Sequence, residues 1–215
     1  MNLEFSLKEA AAIVNLPEPF VRKAIETQAL RPRAVSWGGA LRYRFGVKDM
    51  LLLKLIGEFP LGLDKADKAA LRVLVEGNRR TAGKWHARES DFVVSSGSGD
   101  LVCRIDVKTV RNALAHNLRT YVRGRRRIVS SPSILGGEPV FEGTRIPISQ
   151  VAGLIVKGVS LAEIAEDYPT LSPADLSFAA IHAKMKGNPG RPKKPIRFSR
   201  KGRPLSAADT QRRKS

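Results

Sequence analysis

The chain has 215 residues, a length suited to one or two domains; 42% are hydrophobic and only 6% aromatic, enough for small cores. Its 38 Lys and Arg against 20 Asp and Glu give a formal charge of +18, an excess that points to polyanionic partners. No run approaches the roughly 20 apolar residues of a membrane span, no leader-like segment opens the chain, and the one cysteine, Cys103, excludes an internal disulfide. A soluble cytoplasmic protein is the expectation.

The first 60 residues read as two helices and a hairpin. Ser6-Leu7-Lys8-Glu9 has the form of a capping box, and Leu7, Ala10, Ala11 and Val14 then share one helical face. Pro17 stops that helix, because the residue before a proline avoids helical geometry. A second helix starts near Pro19 with Val21, Ala24, Ile25 and Leu30 inward and Arg22, Lys23, Glu26 and Thr27 outward. Helix, short turn and helix is the sequence form of a helix-turn-helix. After Trp37-Gly38-Gly39-Ala40, Leu41, Tyr43 and Phe45 alternate with Arg42 and Arg44, as in a hairpin wing with its arginines turned from the core. A leucine-rich helix near 48–58 closes the unit.

The stretches SLKEAAAIVNLP, PEPFVRKAIE and RYRF together resemble the N-terminal winged helix-turn-helix of the MerR-like regulators. The resemblance implies double-stranded DNA as a partner, held by Arg22, Lys23 and Thr27 on the second helix and Arg33, Arg42 and Arg44 around the wing. The plainer alternatives are a solvated helix face and a charged edge strand.

Residues 61–127 read as a small α+β connecting segment. Residues 64–76 are helical in pattern, 91–94 and 101–107 are strand-like around a loop of Ser, Gly and Asp, and Asp106 is placed to cap a further helix. On that helix Val107, Val110, Leu114, Leu118, Tyr121 and Val122 form one stripe. It ends in a cluster that includes Arg123, Arg125 and Arg126, more cations than a helix dipole needs, and these join the DNA-contact set.

In residues 128–187, glycines at 136, 137 and 143 flank two short strands, 139–141 and 145–148. Three helices follow, the second opened by a Ser160–Glu163 capping box and the third by Ser172 with Pro173 at its first position. On the third helix Ser172, Ala174, Asp175, Ser177 and His182 are expected outside. The run GGEPVFEGTRIPI, the later Gly158-Val159-Ser160 and the Tyr168-Pro169-Thr170-Leu171-Ser172 stretch closely resemble the bacterial domain-of-unknown-function family 433, found in VapB-type antitoxins. The segment carries a net −2, against +3 for 1–60, +8 for 61–127 and +9 for 188–215, so it is not the main electrostatic footprint on nucleic acid. It is expected to pair two copies of the chain through Val140, Phe141, Arg145, Ile146, Pro147 and Ile148, since a lone hairpin is marginal in water.

The segment 188–215, with ten basic residues, one acidic and four prolines, cannot bury enough surface to offset its ordering entropy and is expected to be disordered alone. Lys201-Gly202-Arg203-Pro204 is similar to an AT-hook core, which reads an A·T minor groove. The antitoxin resemblance implies instead that Arg191, Lys193, Lys194, Arg197, Phe198, Arg200 and Arg203 fold onto a PIN-type ribonuclease toxin, meeting the carboxylates that hold its Mg²⁺. A solubilising terminus is the third reading. His86, His116 and His182 lie in unrelated contexts, so no catalytic, metal or cofactor site is expected.

The expected fold is therefore mainly α with small β-hairpins, divided at 1–60, 61–127, 128–187 and 188–215. The expected function is a DNA-binding, self-repressing homodimeric antitoxin. The alternative is a stand-alone regulator without a toxin.

Overall fold

The first helix, α1 (Leu7–Val14), begins where Ser6 and Glu9 satisfy each other's end groups: the Ser6 amide donates to the Glu9 carboxylate at 2.8 Å, and the Glu9 amide donates to the Ser6 hydroxyl at 3.4 Å. It ends at Asn15 in left-handed geometry (φ 60°), a conformation asparagine tolerates better than most residues. The second helix, α2 (Glu18–Glu26), starts over Pro17 and Pro19 and buries Val21 and Ala24. The computed structural model describes residues 3–59, 63–77, 79–88, 91–95 and 102–185.

Strands β1 (Arg33–Trp37) and β2 (Ala40–Arg44) form an antiparallel hairpin. The turn falls on Gly38 and Gly39, both at positive φ (56° and 77°), which glycine adopts without a Cβ clash and which matches the strands' twist. The hairpin is anchored at its root alone. Phe5 and Phe45 exchange two backbone hydrogen bonds of 3.0 and 2.9 Å, and both rings are buried. Leu41, expected inward, is 61% exposed, because the hairpin projects past the core before its second strand reaches it. Tyr43 is half-buried and Phe45 fully so. Helix α3 (Val47–Gly57) follows with six residues inside.

Helix α4 (Lys65–Glu76) is capped by Asp64, whose carboxylate accepts from the Asp67 amide. Four antiparallel strands then run in sequential order: β3 (Thr81–Ala82), β4 (Trp85–Arg88), β5 (Asp91–Ser95) and β6 (Val102–Asp106). Only the last two were expected. Trp85 is buried beneath α4, where its indole donates to the Asp67 carboxylate at 2.8 Å. Asp106 accepts from the Thr109 amide at 2.9 Å and opens α5 (Val107–Arg126), whose inward residues include Val107, Leu114 and Tyr121.

Strand β7 (Ile128–Val129) pairs with β8 (Val140–Phe141). This corrects the expected pairing of 139–141 with 145–148. The latter stretch makes one isolated bridge, Val140 to Pro147, in which the Phe141 amide donates to Ile146 and the Ile148 amide to Pro139; Pro139 has no N–H to return the second bond, and the Ile146 amide donates to the Thr144 hydroxyl instead. Helices α6 (Ile148–Val156), α7 (Leu161–Asp167) and α8 (Pro173–Met185) complete the chain's described part. The capping box of α7 pairs Ser160 with Glu163, and Ser172 and Asp175 exchange the same bonds before α8.

Helix α8 packs against α6, α5 and α1, so one core runs from Phe5 to Ile181 across three of the expected segments. At the α5–α8 crossing Phe178 lies on Gly124, where a Cβ would come within 2.3 Å of the ring. Mainly helical with small antiparallel sheets, the described residues include no helix long and apolar enough to cross a membrane.

Candidate nucleic-acid interface

On α2 Arg22, Lys23 and Glu26 are exposed, as is Thr27 just past its end. Arg22 reaches Glu18 at 3.7 Å, a loose pair on one helix face. The Thr27 hydroxyl donates to the Lys23 carbonyl at 2.8 Å, which leaves its oxygen free to accept but engages its hydrogen.

The wing is more telling. Its register sets Arg33 opposite Arg44 and Val35 opposite Arg42. Side chains two apart and directly across share a face, so Arg33, Arg42 and Arg44 stand together on one side of a two-stranded ribbon. Like charges directly opposed destabilise a strand pair. Arg33 is offset by Glu4 at 3.0 Å, while Arg42 and Arg44 meet no carboxylate among the described residues. Arg42 is exposed and Arg44 half-buried. An anion laid along that face would remove the repulsion.

The α5 arginines divide. Arg123 and Arg126 are exposed, whereas Arg125 donates to Glu9 at 3.0 Å. Glu9 also accepts from the Tyr121 hydroxyl at 2.7 Å and from Ser6. Burial pushes the Glu9 carboxyl up, but the Ser6 amide, the Tyr121 and Ser6 hydroxyls and Arg125 together hold it below its ordinary value. Tyr121 is driven the other way, upward, by burial and by the adjacent carboxylate. Arg125 is therefore a tie between α5 and α1 rather than a free cation.

Next along the chain, Arg127 donates to Asp175 at 2.8 and 3.2 Å. Asp175, expected on the surface of α8, is 1% exposed, drawn inward by Arg127 on one side and the Ser172 cap on the other. Burial raises its carboxyl, and the Arg127 and Ser172 bonds overcome that and lower it. Ser172 and His182 are half-buried, and Ala174 and Ser177 are exposed as expected.

Of the six residues assigned to a dimer contact, Val140, Phe141 and Ile148 are buried in the chain's own core. The β7 strand supplies the pairing that the sequence pattern left for a second copy. Arg145 is exposed, and Ile146 and Pro147 are half-buried, so these three are what the hairpin offers outward. Arg191, Lys193, Lys194, Arg197, Phe198, Arg200 and Arg203 lie outside the described residues.

The links that sequence reasoning missed, Glu9 with Tyr121 and Arg125, Arg127 with Asp175 and Glu4 with Arg33, join residues 29 to 116 positions apart. No spacing rule reaches that far. The signal that was present is the surplus of arginines at the end of α5, two of which turn out to have inward partners.

Comparison with known proteins gives a partial frame. An uncharacterized protein of Sinorhizobium fredii, y4eO, is 33% identical over 87 residues, 40% of this chain. The match spans 39% of that protein's length. The crystal structure of Rv2018 from Mycobacterium tuberculosis aligns with 82% of this chain and 96% of its own at 14% identity, but the TM-score of 0.26 is too low to carry an argument. Residues 128–183, from β7 into α8, match the family described as protein of unknown function, DUF433.

Proposed function

We propose that this chain is a double-stranded-DNA-binding antitoxin that represses its own operon and neutralises a PIN-type ribonuclease toxin. The DNA half of the reading is carried by one observation: three arginines share a wing face, and two of them lack a carboxylate partner among the described residues. Beside the wing, α1, the turn at Asn15 and α2 have the order of a helix-turn-helix, with Arg22 and Lys23 outward for groove or phosphate contact. The toxin half rests on the resemblance of residues 128–187 and on the +9 charge of 188–215, which suits a carboxylate-lined partner.

Two experiments separate the halves. Duplex binding by the purified chain, measured across salt, tests the first: affinity that falls steeply with salt supports it, and no binding at low salt sinks it. Co-expression with the product of the adjacent reading frame tests the second. Deleting 188–215 should abolish protection from that product while leaving DNA binding in place, and protection by the truncated chain would remove the tail's assignment. DNA binding with no toxic neighbour would favour the stand-alone regulator.

A further inference from the structure

The outer side of α5 carries cations that neither α2 nor the wing uses. At about 100° per residue, Lys108, Asn112, His116, Arg119, Arg123 and Arg126 fall on one strip of the helix, opposite the stripe of Val107, Leu114 and Tyr121. All six are exposed, and each ends in a group able to donate a hydrogen bond. The helix contains no Asp or Glu. Arg119, Arg123 and Arg126 meet no carboxylate among the described residues, whereas Arg125 and Arg127 each have one. All five arginines from 119 to 127 are exposed, but only Arg125 and Arg127 are paired with a carboxylate.

We infer that this strip is a second contact for the phosphate backbone of duplex DNA, separate from α2 and the wing. It rests on the reading above only in the choice of duplex DNA as the polyanion. From Lys108 to Arg126 the strip runs about 27 Å, given a rise of 1.5 Å per residue. A duplex presents about one charge per 1.7 Å of its axis, so the strip faces a dense anionic track over its whole length. Arginine and asparagine side chains are the usual donors to phosphate, and such contacts position a protein without reading sequence. An acidic protein is the poorer fit. Protein interfaces seat their arginine anchors in a desolvated core with Phe, Tyr, Trp or Met, and the strip has arginines but none of these side chains to form one.

The test uses the full chain with Arg119, Arg123 and Arg126 all changed to Gln, titrated with an arbitrary duplex of about 30 base pairs from about 50 to 200 mM salt. The slope of log affinity against log salt should become shallower by about 2.7, close to 0.9 for each phosphate no longer neutralised. The same three positions changed to Lys should keep the parent slope, and thermal unfolding should be unchanged in both. An unchanged slope in the Gln variant overturns the inference. Failure of the wing is distinguishable: if Arg42→Gln with Arg44→Gln changes nothing while the α5 variant does, the wing reading falls and this one stands. If the α5 variant keeps its DNA slope but loses binding to poly-glutamate, the strip is an acidic-polypeptide surface and the inference is wrong.

Discussion

Asp175, at the first turn of the last helix, accepts two hydrogen bonds from the guanidinium of Arg127, which stands just past the end of α5. The carboxylate also holds the Ser172 amide and hydroxyl, so one buried charge closes a helix cap and joins two elements. Its carboxyl is lowered in the folded chain, so the stability it contributes is present above the ordinary aspartate range and lost as pH falls through the depressed value. Asp175→Asn should lower the unfolding midpoint at neutral pH, and the gap from the parent should narrow in acid. A gap constant with pH, read by thermal melts across the acid range, would contradict this linkage.

Tyr121 donates to Glu9 from a nearly buried position, 4% exposed, across the α1–α5 contact. Tyr121→Phe keeps the ring, its edge contact with Phe5 and its packing on Phe178, and removes only the hydroxyl. A hydrogen bond to a charged group contributes about 1.5–3 kcal/mol, and a loss in that range is expected by denaturant unfolding. A change near zero would mean that water or Arg125 takes over the bond without loss.

Gly124 is required by the ring of Phe178 rather than by its backbone angles. Alanine would gain about 1 kcal/mol in helix propensity, yet its Cβ would sit 2.3–2.6 Å from three Phe178 atoms. Overpacking of a filled contact costs about 1–3 kcal/mol, so Gly124→Ala should destabilise. Adding Phe178→Leu should recover part of the loss, which two unrelated substitutions would not do. Additive losses in the double variant would show that the ring is not what forbids the methyl group.

Arg42 and Arg44 stand on the same wing face as Arg33. Replacing both with Gln should weaken duplex binding and reduce the salt slope by about 1.8, two phosphates at about 0.9 each. Neither side chain is part of the buried core, so the unfolding midpoint should hold or rise slightly as the like-charge pairing of Arg44 with Arg33 is relieved. Full affinity in this variant would move the DNA contact off the wing.

What could be read from the sequence follows the range of each interaction. The caps at Ser6, Asp106, Ser160 and Ser172 bind groups three residues away and were legible, as was the inward stripe of α5. The two-residue β3 and four-residue β4 are too short to show a period, and nothing local marks Trp85 as a core residue before α4 covers it. Strand β8 was legible but its partner was not, because β7 is a two-residue strand tucked behind a run of arginines.

For the candidate site, the wing arginines were legible from alternation and the α2 face from helical period. Which of the arginines around the end of α5 lack a carboxylate partner was not. That outcome is set by Glu9 and Asp175, which folding brings in from opposite ends of the chain. The burial of Val140, Phe141 and Ile148 follows the same logic: a short apolar strand looks ready for a second copy until the chain's own strand and helices enclose it.

The seat of α8 against α1 has a consequence during synthesis. A nascent chain that has released its first sixty residues from the ribosome still lacks the helix that completes the floor of that unit. The amino-terminal unit therefore completes its packing only once α8 has emerged, unlike units that fold independently. Translation arrested before residue 173 would leave the side of α1 that α8 covers open to solvent.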